Sequence, residues 1–89
     1  MQSFEADVRK RIVALVRSIL EQNALPADIG PNARLVDVGL TSMDMVNLML
    51  GVEAEFDLTI PQAEITPDNF RSVETLLHMV VSQLQPTAA

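Results

Sequence analysis

Three apolar stripes at helical spacing, separated by connections rich in proline and glycine, limit this chain to a small set of folds. Phe4, Val8, Ile12, Leu15, Val16, Ile19 and Leu20 recur every three or four residues and predict a first helix over residues 4–22. Ser3 is placed to cap it, and Glu5 and Asp7 fall in the first turn, where the helix dipole favours acids. Met45, Val46, Leu48, Met49, Val52 and Phe56 make a second stripe, on a helix from Ser42 to about Phe56. Val73, Leu76, Leu77, Val80, Val81 and Leu84 make a third, opened by a Ser72 cap and ended by Pro86, with Thr87, Ala88 and Ala89 frayed beyond it.

Between the first two helices, residues 23–41 hold Pro26, Pro31, Gly30 and Gly39, which exclude a continuous helix. Leu25, Ile29, Leu35, Val38 and Leu40 are apolar anchors that should press this loop onto the helices, with room for a short helical turn at 35–38. After the second helix, residues 57–61 read as an extended exit, because a residue before proline avoids the α region. Ile60 and Ile65 are expected to point inward. Thr66-Pro67-Asp68 is a start signal for one or two helical turns around Pro67–Phe70. Three long helices, a short one and no convincing strand predict a small α-bundle.

Eighty-nine residues, 48% of them hydrophobic, predict one folded domain over residues 1–89. No apolar run approaches the roughly 20 residues of a membrane span, and the acidic start is unlike a signal peptide. The cytoplasm is the default compartment, and a monomer the expected state. Without cysteine there is no disulfide and no thiolate chemistry. Residues 1–17 carry four bases against two acids, +2, and the remainder two bases against ten acids, −8. Such an acidic body repels nucleic acid and attracts a basic partner surface. The basic positions Arg9, Lys10 and Arg17 fall off the apolar stripe and read as a solvated face.

Few residues could carry chemistry. His78 stands alone, so neither a histidine metal cluster nor a Ser-His-Asp arrangement can form, and it reads as a surface or half-buried packing residue. No calcium loop, P-loop or dinucleotide fingerprint occurs, and intrinsic enzyme activity is not expected. Met43, Met45, Met49 and Met79 fit either irregular core packing or an interior that adjusts to an inserted group. Gly51, inside the second helix, marks a close helix crossing or a close partner approach. Ser42 remains. Thr41 and Asp44 form a looser capping-box signal, which leaves the Ser42 hydroxyl on the first turn unused. A phosphate ester there would meet the unpaired N–H groups of a helix start.

Gly39-Leu40-Thr41-Ser42-Met43, continuing through Val46, Leu48-Met49, Glu53, Glu55-Phe56-Asp57 and Ile60-Pro61, resembles the acyl carrier protein family. The long first loop and the Phe70-x-Ser72-Val73 junction extend the resemblance over residues 4–84. It implies an all-α, four-helix bundle of the acyl-carrier type. It also implies that Ser42 bears a covalent phosphopantetheine arm, whose thiol holds acyl or aminoacyl groups as thioesters. The implied partners are a phosphopantetheinyl transferase, a loading ligase and downstream transferases. These would dock on Thr41, Met43, Asp44, Asn47, Leu50 and Ala54, with Ile60 and Ile65 near the arm.

The chain departs from the family pattern in two respects. Thr41 stands where aspartate usually precedes the serine, and Asn47 and Ala54 stand where glutamate is common. A second helix with so few acids is more similar to carriers loaded with amino acids, or to other specialised stand-alone carriers, than to fatty-acid or polyketide carriers. An acidic helical interaction module without a prosthetic group is the alternative of another class.

Overall fold

The computed structural model describes residues 4–84, so the cap expected at Ser3 and the stop at Pro86 lie outside the described residues. Four helices form: α1 at Phe4–Gln22, α2 at Leu35–Val38, α3 at Ser42–Phe56 and α4 at Val73–Leu84. A single 3-10 turn, Gln62–Glu64, lies between α3 and α4, and no strand occurs among the described residues. The predicted end of α1, both predicted limits of α3 and the predicted start of α4 are those observed.

The first helix organises the rest. It packs against both α3 and α4, and its Val8, Ile12, Val16 and Leu20 are almost wholly buried. Leu35, Leu48, Val52, Leu76, Leu77 and Val80 close the same core. Phe4, on the first turn of α1, departs from its predicted stripe at 50% exposure. Arg9 does not sit on a purely solvated face: its guanidinium pairs with Glu74 and ties α1 to α4. Arg11 reaches α3, where Nε donates to Glu55 Oε2 at 2.8 Å and the guanidinium lies 4.4 Å above the Phe56 ring. Gly51 does face α1. A Cβ there would meet Leu15 Cδ2 at 3.4 Å, which is ordinary contact.

Backbone hydrogen bonds hold the long first loop in place. The Glu74 N–H donates to the Pro31 carbonyl at 2.9 Å, and the Leu35 N–H to the Arg71 carbonyl at 2.8 Å. Both bonds join the loop to the start of α4. The start signal at Thr66 produces less helix than expected. Thr66 Oγ1 accepts from the Asn69 N–H at 3.2 Å, but residues 67–70 make only a turn. Propagation stops because a new cap begins two residues later. There the Thr75 N–H donates to Ser72 Oγ at 3.2 Å and the Ser72 N–H to Thr75 Oγ1 at 3.0 Å, a reciprocal box that opens α4.

Three helices close alike. Leu25, Leu40 and Leu58 each donate an N–H to the carbonyl five residues back, in Leu20, Leu35 and Glu53. The residue before each leucine has positive φ: Ala24 at 56°, Gly39 at 121° and Asp57 at 51°. This is the Schellman closure, which favours glycine, yet glycine fills only one of the three positions. Ala24→Gly should therefore raise stability by about 1 kcal/mol. Gly39→Ala should lower it by more than about 1 kcal/mol, since its Cβ would also come within 3.1 and 3.2 Å of the Leu25 methyl carbons. Urea unfolding of the two variants checks both signs.

Candidate functional site

The start of α3 is a complete capping box. Thr41, in an extended conformation, takes the Asp44 N–H on its Oγ1 at 3.3 Å. The Asp44 carboxylate answers by accepting from the Thr41 N–H at 2.8 Å and the Thr41 hydroxyl at 2.9 Å. Its other oxygen accepts from the Asn23 amide at 3.1 Å, and the same amide donates to the Ile19 carbonyl at 2.8 Å. The end of α1 is thereby joined to the start of α3. These donors, the Thr41 N–H first, hold the Asp44 carboxyl below the usual carboxylate range against the opposing effect of burial.

Asp44 was expected on the outward, partner-facing side; at 8% exposure it belongs to the interior. The reason is its register. Asp44, Leu48, Val52 and Phe56 lie four residues apart and are the four buried residues of α3. Met43, Asn47, Leu50 and Ala54 form a second face, and all four are exposed. Ser42, Met45, Val46 and Met49 form a third, which lines an open groove of about 480 Å³.

Ser42 stands on that groove with its side chain exposed and outside the cap, which Thr41 supplies. The opposite wall comes from Ile65, Thr66, Pro67 and Phe70, and the end near α2 from Arg34 and Val36. Ile60 points inward as its sequence reading predicts and is core at 3% exposure, which removes it from the place beside an arm that the resemblance implies. Its N–H donates to Glu53 Oε2 at 2.8 Å, which turns the chain inward after α3. Ile65, expected to point inward, lines the groove at 44% exposure. Met45 and Met49 are half-buried, packed on the core beneath the groove, whereas Met79 is wholly core. The packing reading holds for Met45, Met49 and Met79, whereas Met43 is 69% exposed.

Arg34, Val36, Val46 and Arg71 were not anticipated in the groove. Val46 carried a usable signal, four residues after Ser42 and so above it on one face. For Arg34 and Arg71 no local pattern existed, since the Leu35–Arg71 backbone bond brings them together across the sequence.

The site can fit a phosphoryl-linked arm. Ser42 offers a free hydroxyl, the first N–H groups of a helix point to the same end, and Ser42 itself lines an apolar groove. No group of three His, Cys, Asp or Glu suited to a metal ion occurs among the described residues. His78 is exposed and lies 3.6 Å from Glu74 on α4, away from this groove's lining. Among the described residues, no helix is long and apolar enough to cross a membrane.

Comparison with known proteins agrees with this geometry. The family profile described as phosphopantetheine attachment site matches residues 10–80. Aminoacyl carrier protein 1 of Bradyrhizobium diazoefficiens is 74% identical over 89 residues, covering 100% of this chain and 99% of the relative. Two crystal structures from Bradyrhizobium japonicum are also similar. One is a glycine:carrier protein ligase complexed with its cognate carrier protein and an analogue of glycyl adenylate. The carrier there is 76% identical with a TM-score of 0.73, over 85% of this chain and 99% of that one. The other is the ligase with glycylated carrier protein, 78% identical with a TM-score of 0.70, over 81% and 97%.

Thr41→Ala should cost about 1 kcal/mol through loss of the cap, whereas Ser42→Ala should leave the unfolding midpoint almost unmoved. The lowered pKa of Asp44 means that its contribution to stability is present above the ordinary carboxylate value and is lost as pH falls through the lowered one. Glu74, lowered by its hydrogen bond from Arg9, acts in the same direction. Stability should hold at neutral pH and decline below about pH 4. Asp44→Asn should be less stable at pH 7 and lose less on acidification. Paired urea curves at neutral and acidic pH measure both.

Proposed function

The chain belongs to the phosphopantetheine-attachment family of acyl and aminoacyl carrier proteins, and from that premise we propose that Ser42 is its attachment residue and an amino-acid ligase its loading partner. The observation that carries the assignment is the division of labour at the start of α3. Thr41 and Asp44 satisfy the cap between them, so the neighbouring Ser42 hydroxyl is exposed and spare at the mouth of an apolar groove. When bound, the phosphopantetheine group supplies a thiol that holds the cargo as a thioester. The chain's own residues hold the attachment turn, line a partly sheltered path, and present a docking face; reaction chemistry is left to partner enzymes. Residues 1–89 act as one carrier domain in the cytoplasm.

Docking falls to Thr41, Met43, Asn47, Leu50 and Ala54, all exposed, with Ile65 beside the arm. Asp44 and Ile60 are withdrawn from that role, since both side chains are buried in structural work. The relatives seen with a glycine:carrier protein ligase make glycine the first cargo to test. The single carboxylate among the first eleven residues of α3 and its apolar outward positions also favour a specialised carrier over a fatty-acid one.

Incubation with coenzyme A and a broad-specificity phosphopantetheinyl transferase should add one phosphopantetheinyl group to the wild type and none to Ser42→Ala, by intact mass. An unmodified wild type, beside a control carrier that is modified, would refute the assignment. With the modified protein, Met43→Glu and Leu50→Glu should each slow glycine loading by a ligase roughly tenfold, as expected for buried interface anchors. Lys10→Glu, on exposed α1 surface, should leave the rate near wild type. Equal rates for all three would remove α3 as the docking face.

A further inference from the structure

Arg34 is a charge at the functional end that the attachment site does not use. From residue 18 onward the chain has two basic residues, Arg34 and Arg71, and both line the groove that holds Ser42. The third charged residue of the lining is Asp68, which pairs with Arg71 at 2.7 Å. Arg34 has no ion pair among the described residues, and its side chain takes no part in capping α2 although its backbone occupies the N-cap position. The groove lining thus carries one uncompensated positive charge in a chain of net charge −6. The groove lining it shares includes exposed apolar residues: Val36 is 61% exposed, and Val46 and Ile65 44% each. Asp44, on the first turn of α3, is withdrawn into its capping box, and Asp37, an exposed acid on the first turn of α2, neither lines the groove nor pairs with Arg34.

The geometry points to a contact between Arg34 and a carboxylate on the surface of the loading ligase, so that the docking face runs from α3 across α2. This rests on the ligase reading above. A guanidinium is weakly hydrated and matches a carboxylate with two parallel hydrogen bonds, so it tolerates the desolvation that docking on an apolar rim imposes. The same charge repels a partner that presents a basic patch at this point. Arg34 therefore selects among partners that the acidic body would otherwise attract alike. The complementary partner surface is apolar around Met43 and Val36, with an acidic group opposite α2.

The arm's own phosphodiester, attached in the same groove, is the other anion within the chemistry of Arg34. The test separates them by using protein that cannot carry an arm. Full-length Ser42→Ala is made with Arg34, Arg34→Lys or Arg34→Glu, and each competes with modified wild type for glycine loading by the Bradyrhizobium japonicum ligase. The inhibition constant should rise about tenfold for Arg34→Glu and fall between for Arg34→Lys, and the difference should shrink in high salt. Thermal unfolding should be unchanged by either substitution, since no side-chain bond is lost. Equal constants for the three proteins would overturn the inference and leave the ligase reading standing. Tighter inhibition by Arg34→Glu would identify the opposing group as basic and overturn it as well. An effect of Arg34 on loading of modified protein, with none on the arm-free competitors, would assign the residue to the phosphodiester instead. Failure of modified wild type to be loaded, or of its arm-free form to compete, would reject the ligase reading and this inference together.

Discussion

The Asp44 carboxylate joins the two halves of this protein. It accepts two hydrogen bonds from Thr41 and one from Asn23, so a single side chain fixes the first turn of α3 and anchors it to the last turn of α1. Because α1 also packs on α4, the turn bearing Ser42 is referenced to the whole core rather than to its own loop. A buried carboxylate is costly unless it is fully hydrogen-bonded, and here its donors keep it ionised. The result is a rigid turn with an idle hydroxyl beside it.

Helix α3 does three jobs because its register gives it three faces. One face, from Asp44 to Phe56 at intervals of four, enters the core. A second, from Met43 to Ala54, is left in solvent with no function in the fold. The third, beginning at Ser42, lines the groove above half-buried Met45 and Met49. Apolar residues on an exposed face add nothing to the stability of a domain, and Met43 and Leu50 are exposed in that way. Under the reading proposed above, the loading partner covers them. The acidic remainder of the chain keeps such a surface soluble between encounters.

Much of this was legible before any coordinates. The stripes of α1, α3 and α4 gave the helix limits because a period of 3.6 over twelve or more residues leaves little freedom. The helix start at Thr41 gave the spare serine, because capping chemistry is local. Errors arose where a local rule met a tertiary demand. Asp44 looked solvent-facing because acids usually are, although its spacing to Leu48 and Val52 already placed it on the buried face. The Thr66 start signal was read correctly as a cap, but the adjoining Ser72 box left no room for a helix to grow. Ile60 and Ile65 carry the same expectations, yet Ile60 enters the core and Ile65 lines the groove, because two isolated apolar residues in an irregular segment have no period to tell them apart.

Taken alone, the sequence determined the three long helices, most of the core and the serine whose hydroxyl the cap leaves spare. Each of these depends on spacing within one segment. The tertiary structure decided what surrounds that residue. Arg34 and Arg71 are separated by more than thirty positions and share no pattern, yet one backbone hydrogen bond sets them at the same groove. Which face of α3 meets the core, which meets the groove and which is left for a partner likewise follows from packing against α1. Local periodicity says that a helix has an apolar side; only its neighbours decide how that side is divided.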